Sequence, residues 1–156
     1  MSKSVKLEAS HMKAHLGYHL RVVSNAVSHS FARKLAASEV TVAEWVILRE
    51  MYSSEDKTSP SIVAEMTGLT RGAVSKLIAR LLHKGLVTRT EASEDRRFQE
   101  IKLTASAIKL VPKLAKLADE NDESFFSVLT RSEQRDLMNT LQKLAELHKL
   151  NTNPIE

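Results

Sequence analysis

The chain has 156 residues, of which 42% are hydrophobic and 27% are charged, with a net charge of +4 and no cysteine. These values are typical of a globular protein, predicted as a single domain over residues 1–156, and they exclude disulfides, thiol chemistry and cysteine-based zinc sites. No apolar run approaches the roughly 18 residues that span a bilayer, and the first residues lack the apolar segment of a signal peptide, so a cytoplasmic protein is expected.

Helix signals dominate the first part of the chain. Apolar residues at three- and four-residue steps predict a long amphipathic helix over residues 10–37. A capping box formed by Thr41 and Glu44 then opens a second helix, because each side chain satisfies a free amide of the first turn. Ser59 as N-cap and Pro60 at the first helical position open a third, short helix.

The next segment predicts a helix-turn-helix. Gly68 is suited to end the third helix with a positive φ angle, and Thr70 is suited to cap a fourth helix that stops at Lys84-Gly85. Two helices joined in this way form the helix-turn-helix arrangement. The fourth helix is expected to bury the apolar residues Val74, Leu77, Ile78, Leu81 and Leu82.

After Gly85 the hydrophobic period changes. Residues 86–91 and 98–103 are short, rich in Val, Thr, Ile and Leu, and predict a β-hairpin with a polar turn. A fifth helix is predicted from Ala105, with Pro112 bending it or marking its true start. A second capping box, starting at Thr130, opens a sixth helix. The predicted fold class is therefore mainly α with a small β-hairpin.

The long terminal helices, residues 10–37 and 105–150, carry apolar faces that the small central region cannot cover alone. Such helices pair readily with a second copy of the chain, so a homodimer is expected.

Positive charge is concentrated between Thr70 and Arg97. This segment has seven basic and three acidic residues, and 7 − 3 = +4 is the whole excess of the chain. A clustered excess of this kind suits a nucleic-acid partner, although a solvated basic face is the alternative. Arg71 is the candidate for reading guanine. The other candidates on this helix, for close backbone approach or for phosphate contact, are Thr70, Gly72, Ser75, Lys76 and Arg80.

The tip of the hairpin contains Asp95, Arg96 and Arg97. A flat guanidinium is favoured in a narrow minor groove, so Arg97 is a candidate to enter it. Asp95 is a candidate brace, which means that its carboxylate would pair with an arginine side chain and fix the orientation of that side chain. Arg96 is either a phosphate contact or a solvated neighbour. The alternative for the whole cluster is an ordinary soluble turn.

The order of these motifs resembles the MarR family of winged helix-turn-helix regulators. Its two DNA-binding helices and the entry to its wing are matched by "SPSIVAEMTGLTRGAVSKLIARLLHKGLVTR". Asp95, Arg97 and Leu103-Thr104 match its wing signature, and the match is strongest over residues 41–104, the predicted winged helix-turn-helix region.

This resemblance implies an obligate homodimer, a recognition helix from Thr70 to Lys84 and a wing arginine, Arg97, in the minor groove. It also implies control of DNA binding by a small ligand, often phenolic or otherwise lipophilic. Ala107 stands where members of the family usually have glycine. This difference affects the expected direction in which the fifth helix begins, but it does not affect the expected DNA-binding role.

Three histidines, His11, His15 and His19, are spaced for one face of the predicted first helix. Imidazoles at this spacing can share a metal ion or form a pH switch, but no cysteine or paired carboxylate completes a ligand set, and a polar dimer seam is favoured. Trp45 is expected to pack in the core. The alternative is that Trp45 lines a ligand pocket between the first, second and fifth helices. His19 is a second candidate to line that pocket.

No glycine-rich phosphate loop, nucleophile elbow or HExxH motif is present, so the chain is not expected to be an enzyme or to need a cofactor. The sequence predicts a homodimeric, sequence-specific transcriptional regulator that represses from palindromic operators and is released by an unidentified small ligand. Two alternatives remain: a metal- or pH-responsive regulator on the same scaffold, and a winged-helix module that binds protein.

Overall fold

A computed structural model describes residues 6–54, 58–91 and 99–150, and six α-helices and a two-stranded hairpin lie within these ranges. The order confirms the predicted fold class. A short 3-10 helix, Met12–Ala14, precedes α1 Leu16–Ala36, α2 Val42–Ser53, α3 Pro60–Thr67, α4 Arg71–His83, β1 Val87–Glu91, β2 Gln99–Leu103, α5 Ala105–Phe126 and α6 Arg131–Leu147. In the same ranges, no helix combines the length and apolar character that crossing a bilayer requires.

Both predicted capping boxes are confirmed. In α2 the Thr41 hydroxyl accepts a hydrogen bond from the Glu44 amide at 3.1 Å, and the Glu44 carboxylate accepts one from the Thr41 amide at 3.2 Å. Thr130 and Glu133 repeat the pattern at the start of α6, with both bonds at 3.1 Å. These side chains replace the intrahelical partners that first-turn amides lack, and so they fix where each helix begins.

The hydrophobic core lies in the central region and is closed by α5. Fully buried side chains come from α2, α3, α4, β2 and α5, and α1 contributes one at its C-terminal end. They include Leu35, Ile47, Leu48, Val63, Val74, Leu81, Ile101 and Leu114. Since burial of one such side chain contributes about 1.5–3 kcal/mol, this cluster holds the central helices and the hairpin as one unit.

A buried polar group joins α1 to α5. Asn121 is 3% exposed, and its Oδ1 accepts hydrogen bonds from the Ser30 hydroxyl at 2.7 Å and the Lys34 ammonium at 3.0 Å. Its Nδ2 donates to the Val27 carbonyl at 3.3 Å. The acidic sequence around Asn121 is typical of a solvated helix face or loop, but this residue faces the neighbouring helix and fixes its register.

Two predicted helix boundaries differ from the structure. The first helix begins at Leu16, not near Ser10, because His15 has an extended backbone with φ −96° and ψ 131°. Pro112 does not mark the start of α5, which begins at Ala105 and contains the proline in its interior. The hydroxyl of Thr104 caps that helix, accepting from the Ala107 amide at 3.2 Å.

Candidate nucleic-acid interface

The turn between α3 and α4 is built by three side-chain and backbone devices. The Thr67 hydroxyl is buried and donates to the Val63 carbonyl at 2.7 Å. Gly68 then ends α3 with φ 78°, a conformation that residues with a Cβ rarely adopt, as predicted. The Thr70 hydroxyl accepts from the Ala73 amide at 3.2 Å and starts α4 in its new direction. The predicted helix-turn-helix is thus present.

The fourth helix divides into an apolar and a basic face. Val74, Leu77, Ile78 and Leu81 are buried, as predicted, whereas Leu82 is only half-buried. The opposite face is exposed and consists of Arg71, Gly72, Ser75, Lys76, Ala79 and Arg80. No acidic residue occurs between Arg71 and His83, so this face presents positive charge and small side chains without a competing carboxylate of its own.

This face has the chemistry that duplex DNA requires. An α-helix fits the major groove, where an arginine can donate twice to one guanine, and ammonium, guanidinium and hydroxyl groups bind phosphates. Free amides and the partial positive charge of the α4 N-terminus, next to Thr70 and Arg71, also favour an anion. All six residues predicted for α4, counting Thr70 at its cap, are exposed and lie along one helix.

The base of the wing is attached to both ends of the helix-turn-helix. Ile101 exchanges backbone hydrogen bonds with Thr58, which precedes α3, at 2.9 and 3.4 Å. Thr104 donates its amide to the Leu86 carbonyl at 3.1 Å and its hydroxyl to the Gly85 carbonyl at 2.8 Å. The hairpin therefore follows the end of α4 with little freedom at its base.

The predicted wing tip lies outside the described residues. Strands β1 and β2 pair antiparallel from Val87 with Leu103 to Glu91 with Gln99, and residues 92–98 lie between them in the sequence. Asp95, Arg96 and Arg97 belong to that segment, and their roles stay predictions.

Lys84 has a partner that sequence reasoning missed. Its ammonium donates to both carboxylate oxygens of Glu44, at 2.9 and 2.8 Å, and to the backbone carbonyl of Glu39. Lys84 contributes to the basic excess of the segment from Thr70 to Arg97, but its charge is paired with a carboxylate from outside that segment. The sequence identifies Glu44 only as half of a capping box, and no spacing rule links residues 40 positions apart.

The Glu44 carboxyl is fully buried and stays ionised through its neighbours. Burial alone raises its pKa, but the hydrogen bonds from Lys84 and Thr41, with the charge of Lys84, together hold the pKa below the ordinary value of 4.5. The pair is therefore a charged link between the first turn of α2 and the residue that caps the end of α4.

The N-terminal histidines do not share a helix face. His11 and His15 flank the 3-10 helix, and only His19 lies in α1. The imidazole of His19 donates to the Lys13 carbonyl at 2.7 Å, and that of His15 is near the Met12 carbonyl at 3.3 Å. The expected placement of these three residues on one helix face is therefore wrong. Over the part of the chain that the structure describes, no group of three or more His, Asp or Glu could hold a metal ion.

Trp45 and His19 have separate surroundings. Trp45 is 9% exposed and belongs to the core, where its ring packs edge-on against Phe31 with centroids 6.1 Å apart. His19 is exposed and contacts the Tyr18 ring at 5.3 Å. The core position of Trp45 agrees with the favoured interpretation, and a role for either residue toward a ligand stays a prediction.

Known proteins share this arrangement. Residues 38–97 match the model of the MarR family. The HTH-type transcriptional regulator SarZ of Staphylococcus haemolyticus is 26% identical over 136 residues, covering 87% of this chain and 90% of SarZ. MepR of S. aureus, solved in complex with DNA, is 26% identical with a TM-score of 0.75, covering 85% of this chain and 97% of MepR.

A further solved structure shares the fold at lower identity. It is BpsR of Bordetella bronchiseptica, described with the regulation of its DNA binding by 6-hydroxynicotinic acid. It is 23% identical with a TM-score of 0.76, covering 88% of this chain and 98% of BpsR. The family match over residues 38–97, the two relatives at 26% identity and the exposed basic face of α4 agree, and the chain is similar to the MarR family of transcriptional regulators.

Proposed function

We propose that the protein is a homodimeric repressor that binds palindromic duplex DNA through α4 and is released by a small ligand. The observation that carries the proposal is the exposed face of α4, on which Arg71, Lys76 and Arg80 stand without an acidic neighbour in the same helix. Arg71, in the first turn, is the proposed base reader. Ser75, Lys76 and Arg80, with the cap residue Thr70, are the proposed phosphate contacts.

The case for a dimer rests on apolar side chains that the single chain leaves uncovered. Helix α6 buries none of its residues, although it carries a leucine-rich stripe. The N-terminal half of α1 is likewise exposed. These side chains include Leu16, Leu20, Val23, Leu137, Met138, Leu141, Leu144 and Leu147, each at least 36% exposed. Exposed apolar side chains in this number mark an interface, and a second copy supplies the same side chains by two-fold symmetry.

The geometry of that dimer sets the operator. Two copies of α4 related by a two-fold axis reach successive major grooves when they lie about 34 Å apart. The half-sites of the operator are then inverted repeats. We propose residues 10–37 and 105–150 as the dimerisation helices and residues 41–104 as the part that contacts DNA, with Arg97 in the minor groove and Asp95 as its brace.

Release by a ligand follows from the same geometry. BpsR, which shares the fold, has its DNA binding regulated by 6-hydroxynicotinic acid, and a compound of similar size is the proposed type of effector here. A cavity of about 270 Å³ lies between the end of α2, β2 and the start of α5, lined in part by Met51, Tyr52, Ile101 and Ile108. A ligand there, or beside His19 and Trp45, would change the position of the wing relative to the dimerisation helices.

Binding to DNA from the region upstream of its own gene tests the proposal. We expect fluorescence anisotropy to show an affinity that falls steeply with salt, and footprinting to show a protected inverted repeat. Protection without dyad symmetry would contradict the dimeric mode. Absence of binding at low salt would contradict the DNA-binding role and favour a protein partner. Aromatic acids that raise the melting temperature and lower DNA affinity would identify effectors, since ligands of the folded state stabilise it.

A further inference from the structure

Three helix ends meet at the ammonium group of Lys84. Lys84 itself follows α4, the carbonyl that it binds belongs to Glu39 after α1, and the carboxylate that it binds belongs to Glu44 in the first turn of α2. Helix C-termini carry partial negative charge and helix N-termini partial positive charge, so the ammonium and the carboxylate each lie where the helix dipoles favour them.

All three N–H groups of the Lys84 ammonium are used within the protein, and none is left to donate to DNA. A lysine offers three N–H groups, and here the three acceptors are the two oxygens of Glu44 and the carbonyl of Glu39. Glu44 is equally committed, because one of its oxygens also accepts from the Thr41 amide. Lys84 therefore lies in the most basic segment of the chain without being available as a phosphate contact.

The junction also holds a strained turn. Glu39 has φ 55°, one of two residues other than glycine with positive φ in the described part of the chain. Such backbone is sparsely populated and persists where its surroundings hold it. The hydrogen bond from Lys84 to the Glu39 carbonyl is one such restraint, so the turn between α1 and α2 and the end of α4 are held by the same side chain.

We propose that Glu44 is a positioning residue for DNA recognition: by holding Lys84, it ties the end of α4 to the turn between α1 and α2 and sets the direction of α4. This proposal rests on the assignment of α4 to DNA. Because α1 is a proposed dimerisation helix, the junction is also a direct physical connection from the dimerisation helices to the recognition helix.

The chain offers a matched control. Glu133 occupies the same position in the capping box of α6, accepting from the Thr130 amide, but it is exposed. Glu44→Gln and Glu133→Gln are therefore the same chemical change at equivalent helix positions. Lys84→Met removes the ammonium and keeps the side-chain stem, and Lys76→Met does the same at a proposed phosphate contact.

The test compares DNA affinity and its salt dependence on a duplex selected from a random pool by the unaltered protein. We expect Glu44→Gln and Lys84→Met to weaken binding about tenfold with an unchanged salt slope, and Glu133→Gln to leave affinity unchanged. Lys76→Met is expected to lower the slope by about 1.8, because each dimer then neutralises two fewer phosphates and each phosphate accounts for about 0.9. A slope lowered equally by Lys84→Met, or unaltered affinity of Glu44→Gln, would overturn the proposal.

Amide hydrogen exchange on the free protein separates this proposal from the DNA-binding role. We expect Glu44→Gln to increase exchange in the last turn of α4 and in the turn containing Glu39, whereas Glu133→Gln affects only the start of α6. The double variant Glu44→Gln/Lys84→Met removes both charges, so no unpaired carboxylate is left buried and the fold is kept. It is expected to show the same increase in amide exchange. Unaltered exchange in α4 would overturn the proposed tie even if the protein binds DNA.

Discussion

The ammonium of Lys84 lies 2.8 Å from Oε2 of Glu44, a carboxylate with no exposed surface. An ion pair in this setting differs from a surface pair, because removal of the Lys84 ammonium leaves a fully buried carboxylate without compensation. The pairing of Lys84 also shows that the basic residues after Thr70 are of two kinds. Lys84 serves the structure, whereas Lys76 and Arg80 are exposed on the face that is proposed to meet DNA.

The depressed pKa of Glu44 makes stability depend on pH. A carboxyl whose pKa is lower in the folded than in the unfolded chain stabilises the fold above its unfolded pKa, ordinarily 4.5, and that contribution is lost as the pH falls through the folded value. We expect urea unfolding to show a free energy that declines below about pH 5 and a shallower decline in Glu44→Gln. Equal slopes in the two proteins would contradict the assignment.

Loss of Asn121 should loosen the contact between α1 and α5. Asn121→Ala removes the acceptor of the half-buried Ser30 hydroxyl and the bond to the Val27 carbonyl, and loss of one such hydrogen bond costs about 0.5–1.5 kcal/mol. Thermal and urea unfolding measure this loss. Asn121→Asp, which keeps acceptors for Ser30 and Lys34, is expected to lose less. Glu123→Ala, an exposed change in the same helix, serves as the control, and an equal loss there would contradict the account.

A substitution at Gly72 should change the stability of the fold and the affinity for DNA in opposite directions. It lies within α4, and an added Cβ meets no atom within 4 Å in the free protein. Gly72→Ala is therefore expected to raise the free energy of unfolding by about 0.5–1 kcal/mol, since alanine is the better helix former. The same methyl group stands on the face proposed to approach the duplex, so DNA affinity should fall. A variant that is more stable and binds equally well would show that the backbone of α4 does not approach DNA closely.

Leu141 tests the proposed dimer. It is 41% exposed in the single chain and lies in the stripe of α6. Leu141→Glu introduces a charge at the proposed interface, where burial without a partner is costly, so light scattering should show a monomer. Gln142→Glu adds the same charge at the neighbouring exposed position and is expected to remain dimeric. A Leu141→Glu protein that keeps the mass of two chains would contradict the assignment of α6.

Local signals were sufficient to predict most of this fold. Caps, a glycine at the end of α3 and the period of apolar residues each act over a few positions, and the structure confirms them at Thr41, Gly68, Thr70 and Thr130. The same signals predicted which residues of α4 are buried and which are exposed. Once the helix boundaries and the apolar stripe are known, the helical period assigns the remaining residues to the exposed face.

The interactions that sequence patterns do not predict join distant parts of the chain. Glu44 and Lys84 are 40 residues apart, and Ser30 and Asn121 are 91 apart, so no local pattern links them. The start of α1 differs from its predicted position for another reason. His11 and His15 fit the helical spacing of His19, but His15 takes an extended backbone, and periodicity alone does not show where a helix lacks a cap.

The salt dependence of DNA binding tests the role of α4 most directly. Lys76→Ala/Arg80→Ala removes two proposed phosphate-binding side chains from each chain, whereas Lys143→Ala removes an exposed charge from α6. With about 0.9 for each phosphate, the double variant should lower the slope of log K against log salt by about 3.6 per dimer, and the control should leave it unchanged. A double variant with the slope and affinity of the unaltered protein would contradict the assignment of α4 to DNA.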